Sequence, residues 1–467
     1  STSLETGRSK SKRSRTDLVV DSTPSTEAKS TPSTSYLTGT DSFDFGEFIN
    51  TVKRTSGLFA GTTPTLLKDC WRPRPNVSGV SSRQPFLNAR LQGFGATIFA
   101  EMSALAVKTN AVNLGQGFPD KDGPIEVMDA ATEAIRNGLG NQYPPGIGVP
   151  ELRHAVADHQ QRFYGLDFDP DTEILVTAGA SEALAASVIA LCETGDEVVT
   201  FEPWYDIYGA NIAMAGASKK VVTLRPPNYA FEEAEFLAAL SPKTRLILLN
   251  TPHNPTGKVF SREELEFIAN VAIERDLLVV TDEVYEHLVF EGEHIPIASL
   301  PGMRERTVTI SSGGKTFSFT GWKIGWVCST PELTGAVRIA KQFLTFVSGG
   351  PFQYAIAAGL ALGDDFYETL LSDMRSKRDH LSAGLRSAGF EIFESQGTYF
   401  VTADARSVGY EDGLELCWQL PEKVGVVAVP NVVFYDNQDE GKHLIRFAFC
   451  KSLDVLDEAI HRLQGLS

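Results

Sequence analysis

The stretch SSGGKTFSFTGWKIGW, Ser311 to Trp326, sets Lys315 behind two serines and two glycines, with Lys323 further along. Such lysines suit an ordinary solvated loop; they equally suit an amine held beside a phosphate and used as a nucleophile. Other reactive residues stand out because they end or interrupt apolar runs. Asp282 leaves LLVVT, and Tyr285 follows three residues later. A carboxylate at the end of so apolar a strand must be capped, paired or hydrogen-bonded, since burying it alone is costly. Asn254 follows RLILL in NTPHNPTGKVF, which taken alone fits a plain Asn-Pro turn. After EILVT a small-residue turn leads through Ala180 and Ser181 to Glu182. Free N–H groups at such a helix start can hold an anion, although small residues also make ordinary caps. Arg446 interrupts HLIRFAFC, where alternation puts Leu444, Arg446 and Ala448 on one face and Ile445, Phe447 and Phe449 on the other. A guanidinium there needs a carboxylate, either a ligand's, read bidentately, or an internal Asp or Glu.

The elements that must position these residues follow from pattern. From Gln84 onward, short runs rich in β-branched residues (EILVTAG, DEVVTFEP, RLILLNTP, LLVVTD, RTVTISS) alternate with longer amphipathic segments such as SEALAASVIALCETG and REELEFIANVAIERD. Strands apolar on both faces and separated by helices predict an α/β fold with a mostly parallel sheet flanked by helices. In such sheets ligands sit at the carboxyl ends of the strands, where these candidates lie.

The whole chain, 467 residues with 42% hydrophobic and 22% charged residues, has the composition of a globular protein of more than one domain. Its net charge of -17 argues against nucleic acid or an anionic membrane as a partner, so any phosphate site has to be local. No run of eighteen apolar residues is present. Cys70, Cys192, Cys328, Cys417 and Cys450 are scattered and mostly set in apolar runs, which predicts reduced thiols and a cytoplasmic location. Residues 1–84 differ in kind. TPSTEAKSTPSTSYLTGT carries too little apolar surface to offset its ordering entropy and predicts a flexible Ser/Thr/Pro-rich extension. A basic cluster, Arg8 to Arg15, precedes it, but Glu5, Asp17 and the lack of an apolar core argue against a secretory signal. FGEFINTVKRTSGLFAG has enough apolar residues for a short docked helix.

Each signal alone is modest, but together they match what pyridoxal phosphate chemistry needs. A lysine forms a Schiff base with the cofactor aldehyde, a carboxylate keeps the pyridine nitrogen protonated, and the freed amine moves the substrate α-proton. Asp282, Tyr285, Asn254, the helix start at Ala180 to Glu182, Lys315 and Arg446 supply that set.

The sequence also resembles a known family. FAEMSALA, VNLGQGFPD, NQYPPG, EPWYDIY, HNPTG, TDEVYEHLVF, GKTFSFTGWKIGW and IRFAFCK occur in the order found in class I/II aminotransferases, pyridoxal phosphate enzymes of fold type I. The chain is similar to the branch containing kynurenine aminotransferases, and within it most closely resembles the actinobacterial N-succinyldiaminopimelate aminotransferases. The resemblance covers the chain from about Leu91 onward. It implies that Lys315 carries the Schiff base, that Asp282 pairs with the pyridine nitrogen, and that Asn254 and Tyr285 bond the ring's 3-hydroxyl oxygen. It implies that Tyr205 stacks on the ring and that Ala180, Ser181, Ser312 and Lys323 hold the phosphate. Tyr143 would reach the phosphate of a neighbouring subunit, which makes the expected assembly a homodimer with shared sites. Arg446, Asn254 and the backbone at Gly117 would meet the substrate carboxylate. Many class I members carry arginine where Lys323 stands; a lysine neutralises phosphate as a point charge without the bidentate fork. Gly313 and Gly314 are expected to let the backbone approach the cofactor.

The expected organisation is an arm at 85–121, a large cofactor-binding domain at 122–342 and a small α+β domain at 343–467. The expected reaction moves an amino group from an amino acid to a 2-oxo acid, with N-succinyldiaminopimelate, glutamate and aromatic or sulfur-containing amino acids as candidates. Two readings stay open beside it. The same scaffold can divert the substrate carbanion to elimination or carbon-carbon bond formation, or it can serve as a non-catalytic binding module. Candidates for side-chain specificity are Phe118, Trp204, Tyr399 and the PNVVFYD stretch from Pro430, of which none dictates a reaction and Phe434 and Tyr435 equally suit packing.

Overall fold

The β-branched runs form the strands that the pattern predicts, and their order explains why distant residues meet. The computed structural model describes residues 86–95 and 97–466. The expectations for the extension, its docked helix and Cys70 lie outside the described residues. After the short β1 (Val112–Asn113) come β2 (Ile174–Ala178), β3 (Glu197–Glu202), β4 (Ser218–Thr223), β5 (Thr244–Asn250), β6 (Leu278–Asp282), β7 (Thr307–Ser312) and β8 (Ile324–Cys328). Strands β2 to β8 make one seven-stranded sheet in the order β2-β8-β7-β6-β5-β3-β4. Every neighbouring pair is parallel except those of β8, which runs antiparallel to both β2 and β7.

Both faces of this sheet are covered, as near-continuous apolar strands require. Leu246 and Leu248 of β5 pack in a cluster with Leu184 and Ile212. Ile247 and Leu249, pointing the other way, pack with Phe236 and Ile268. Each fully buried aliphatic side chain contributes roughly 1.5–3 kcal/mol, so a one-residue slip in register would be strongly opposed. The carboxyl ends of β2, β3, β5, β6 and β7 therefore share one fixed edge. Because β8 runs the other way, its beginning lies on that same edge, and this places Lys323 beside the end of β2.

A second sheet, four-stranded and antiparallel where paired, is built from β9 (Glu391–Phe393), β10 (Phe400–Asp404), β12 (Val429–Pro430) and β13 (Leu444–Ala448) in the order β12-β13-β10-β9. β1 pairs in parallel with β11 (Val426–Val427). Arg446 sits on the inner strand β13, opposite Thr402 on one side and Val429 on the other. Ile445 and Phe447 join the core beneath the sheet, as alternation predicts. No helix among the described residues is long and apolar enough to cross a membrane.

Close backbone approach appears at one decisive place. A Cβ on Gly325 of β8 would lie 2.6 Å from the carbonyl carbon of Gly179, and Gly179 itself has φ +70°. Gly325→Ala is expected to cost about 1–3 kcal/mol through overpacking against backbone, and calorimetry should show a lowered thermal midpoint. An unchanged midpoint would show that the β8 edge can retreat from the helix start.

Candidate active site

A cavity of about 330 Å³ opens on the shared strand edge, and of the residues expected to hold cofactor or substrate carboxylate all line it except Glu182 and Tyr143. Asp282, at the end of β6, is 4% exposed. Its Oδ2 accepts a hydrogen bond from the Tyr208 hydroxyl at 2.7 Å, and Oδ1 a longer one from the Val284 N–H at 3.4 Å. Burial pushes this carboxyl up to about 6, against the pull of those bonds and of Lys315. Asn250, the last residue of β5, ties two parts of the site together. Its amide donates to the Asp282 carbonyl, and its Oδ1 accepts the Asn254 N–H, both at 2.8 Å. The Asn-Pro turn is thus held to the end of β6.

Lys315 stands on the short helix Gly313–Thr316 that follows β7. Its Nζ donates to the Tyr399 hydroxyl at 2.9 Å, and that hydroxyl donates to the Gly117 carbonyl at 2.5 Å. Burial lowers the amine to about 8. Tyr285 meets Tyr399 edge-on with ring centroids 5.1 Å apart, and Lys315 Nζ lies 5.6 Å from each ring centroid. Gly314 lines the cavity, but Gly313 is constrained elsewhere: a Cβ on it would meet Ile356 at 2.8 Å. The expected reason for that glycine is corrected to helix packing.

At the other end, Lys323 Nζ donates to Ser181 Oγ at 3.2 Å, at the start of the helix Gly179–Leu191. Ser312 completes this polar corner. Ala180 and Ser181 face the cavity, whereas Glu182 turns back. Its carboxylate accepts the Ala178 N–H at 2.6 Å and the Thr345 hydroxyl at 2.5 Å, a capping arrangement that leaves no side-chain role in the cavity. Tyr143 is 83% exposed, and its ring meets Phe346 at 5.7 Å, away from the cavity of its own chain.

Arg446 is 1% exposed and has no carboxylate partner among the described residues. Its Nη1 donates to Asn254 Oδ1 and its Nη2 to the Gly115 carbonyl, each at 2.9 Å, while the buried Nε has no partner. Phe400 lies 3.9 Å beneath the guanidinium. Burial lowers it to about 10, still charged at neutral pH. The internal ion pair left open by the sequence is therefore not formed. Gly117 lines the cavity, where a Cβ would strike Phe400 at 2.5 Å.

Tyr205 also lines the wall. Of the specificity candidates, Phe118 faces the cavity, and Tyr399 acts through Lys315 and Gly117. Trp204 lies under Lys219, whose Nζ is 3.3 Å from the indole centroid. Phe434 stacks on Phe99 at 5.8 Å, and Tyr435 is buried in the core. Sequence reasoning missed Tyr208 and Asn250. Asn250 ends an apolar run just as Asp282 does, so the same rule could have found it; Tyr208 lies in an apolar helix that gives no such signal.

A buried carboxylate, a lowered amine, an anion corner and a guanidinium with no acid among the described residues share one wall. The family described as aminotransferase class I and II matches residues 109–463. The chain belongs to that family. It is a pyridoxal phosphate-dependent aminotransferase. A Mycobacterium tuberculosis relative, named probable N-succinyldiaminopimelate aminotransferase DapC, is 50% identical over 390 residues, covering 81% of this chain and 98% of its own length. The Escherichia coli methionine aminotransferase is 40% identical over 379 residues, with 81% and 98% covered. The solved structure of N-succinyldiaminopimelate aminotransferase from Mycobacterium tuberculosis superposes with a TM-score of 0.80 at 51% identity, covering 82% of this chain and all of that one.

The residues of this aminotransferase fit the cofactor on the structure's own terms. The lysine-serine corner suits a phosphate, the buried Asp282 carboxylate suits a protonated ring nitrogen, and the unpaired Arg446 Nε shows a guanidinium with capacity to spare. The lowered Lys315 amine is neutral above about pH 8, so its nucleophilic form appears at lower pH than that of an exposed lysine. On cofactor-free aminotransferase, acylation of Lys315 followed by peptide mass spectrometry should rise through that pH. Exposed lysines should rise only near about 10.4. A Lys315 profile that tracks the exposed lysines would refute the desolvated amine.

Proposed function

We propose that this aminotransferase uses Lys315 to attach the cofactor and to move the proton at the substrate α-carbon, and Arg446 to hold the substrate carboxylate. The observation that carries this reading is the buried Arg446 fork, which has two neutral partners and no acid. Asn254 is positioned to share the carboxylate, with the Gly117 backbone at the same wall. Bound here, pyridoxal phosphate would supply an aldehyde for the amine and an electron-accepting ring. Asp282, steadied by Tyr208, would receive the ring N–H. Asn254 and Tyr285 would flank the 3-oxygen, and Tyr205 would lie against the ring face. Ser181, Ser312, Lys323 and the helix start would hold the phosphate, with N–H groups from Ala180 onward. Tyr399 restrains the free amine, so proton transfer starts from a fixed position.

For substrates, we propose the pair N-succinyldiaminopimelate and glutamate, on the strength of the 50% identity to a protein so named. A second reading, aromatic or sulfur-containing donors, is favoured by the aromatic wall of Phe99, Phe118 and Phe400. We propose a homodimer with shared sites, supported by the exposed Tyr143 and by Phe343 and Ile339, 81% and 66% exposed on the helix Pro331–Leu344. The large domain at 122–342 and the small one at 343–467 are supported by the separate sheets, β2 to β8 within 174–328 and β9, β10, β12 and β13 within 391–448. A cytoplasmic location is supported by the free, buried Cys192, Cys328, Cys417 and Cys450.

Lys315→Ala is expected to abolish turnover and covalent cofactor attachment, read by intact-protein mass spectrometry after borohydride reduction; retained turnover would sink the mechanism. Arg446→Lys keeps the charge but loses the fork, and should cost about 1.5–3 kcal/mol, or roughly 10- to 100-fold in kcat/KM. The loss should fall mainly on KM and on every amino donor alike. A donor panel scored by oxo-acid mass spectrometry separates the two substrate readings.

A further inference from the structure

Behind the cofactor wall lies a second buried group of donors that the transamination reading does not use. His159, on the helix Pro150–Tyr164, faces Glu286 and His287, which follow Asp282 and Tyr285 on the segment after β6. One donor atom from each lies within 4.8 Å of the other two. We propose that His159, Glu286 and His287 form a binding site for a divalent transition-metal ion of the zinc class.

Two observations carry this. The Nε2 atoms of His159 and His287 share a hydrogen bond of 2.7 Å, so both rings turn that nitrogen into the same small space within 4.8 Å of a Glu286 oxygen. Glu286, 5% exposed, fixes one carboxylate oxygen on the Ser311 hydroxyl and leaves Oε2 buried without a well-aligned hydrogen bond, with the Tyr164 hydroxyl beside the carboxylate. A buried carboxylate oxygen without a well-made hydrogen bond is costly, and a cation at the facing nitrogens would satisfy it.

Two imidazoles and one carboxylate suit zinc or a neighbouring first-row metal better than magnesium or calcium, which prefer all-oxygen shells. Metal-nitrogen bonds of about 2.0–2.1 Å at a tetrahedral angle set the nitrogens about 3.4 Å apart, so the rings must separate slightly on binding. Phe163 and Tyr367 enclose the site, with centroids 4.7 and 4.4 Å from that of His287. The Arg162 guanidinium, on the same helix as His159, is paired with Asp364.

The placement gives such an ion a task. Glu286 and His287 share a segment with Asp282 and Tyr285, and Ser311 adjoins Ser312. An ion there would pin the rear of the cofactor wall to the helix Pro150–Tyr164, stabilising the folded chain by mass action. The inference stands apart from the substrate reading, because metal binding is read without turnover.

The test is to treat the holoenzyme with chelator, titrate it with Zn2+ by calorimetry, and follow the thermal midpoint with and without excess zinc. Wild type should bind one ion per chain and gain in midpoint. His159→Asn, and Glu286→Gln as a variant of near-identical volume, should each bind more than about tenfold more weakly and lose the gain. Tetrahedral visible bands with Co2+, present in wild type and absent from both variants, would support the same site. Absence of stoichiometric binding in wild type, or equal affinity in all three proteins, would overturn the proposal and leave the two histidines as a hydrogen-bonded pair.

Discussion

Two buried charges without ionic partners among the described residues set the terms for this site. Asp282 ends β6 of one sheet and Arg446 lies mid-strand on β13 of the other, each almost fully removed from water and each held by neutral groups: Tyr208 and the Val284 N–H for the acid, Asn254 and the Gly115 carbonyl for the guanidinium. Desolvating an ion costs several kcal/mol even after relaxation. Much of the surrounding architecture can be understood as the means of holding these groups ready. The apolar strands bring them in, the packed faces keep them from reaching solvent, and the hydrogen bonds fix their direction. A site organised in this way meets an arriving charge without having to reorient its own dipoles.

The two sheets are coupled at this point through amides and a phenol. Asn250 joins β5 to β6 and to Asn254, and Asn254 reaches Arg446 on β13. Tyr399 joins Lys315 to the Gly117 backbone. The geometry of the acid, the amine and the guanidinium is therefore set jointly. A disturbance at the Asn-Pro turn reaches both the sheet that carries Asp282 and the strand that carries Arg446.

Much of this was legible in the chain itself, for a definite reason. Asp282, Asn254, Lys315 and Arg446 each break an apolar pattern, and such breaks mark where a strand stops serving the core. The sheet was legible because its central strands are apolar on both faces. What escaped detection obeys the opposite logic. Tyr208 looks like any aromatic residue in an apolar helix, and only three-dimensional packing aims its hydroxyl at Asp282. Glu182 lies at the right helix start, but capping its own backbone satisfied its carboxylate first. Gly313 gave the right residue and the wrong reason, since contact with Ile356, far along the chain, is invisible in local sequence. His159 and His287 drew no notice, because their meeting depends on how a helix docks behind β6.

Strand β8 is clamped by antiparallel pairing on both sides, with Cys328 opposite Ile174 on one flank and Thr309 on the other. The chain between Lys315 and Lys323 thus spans two points that neither neighbour allows to drift. Length changes between homologues should be rare in that span. They should accumulate around Phe118, a half-exposed residue at the wall of the cavity. The same protein body can then change its diet while the cofactor end remains a template of fixed dimensions.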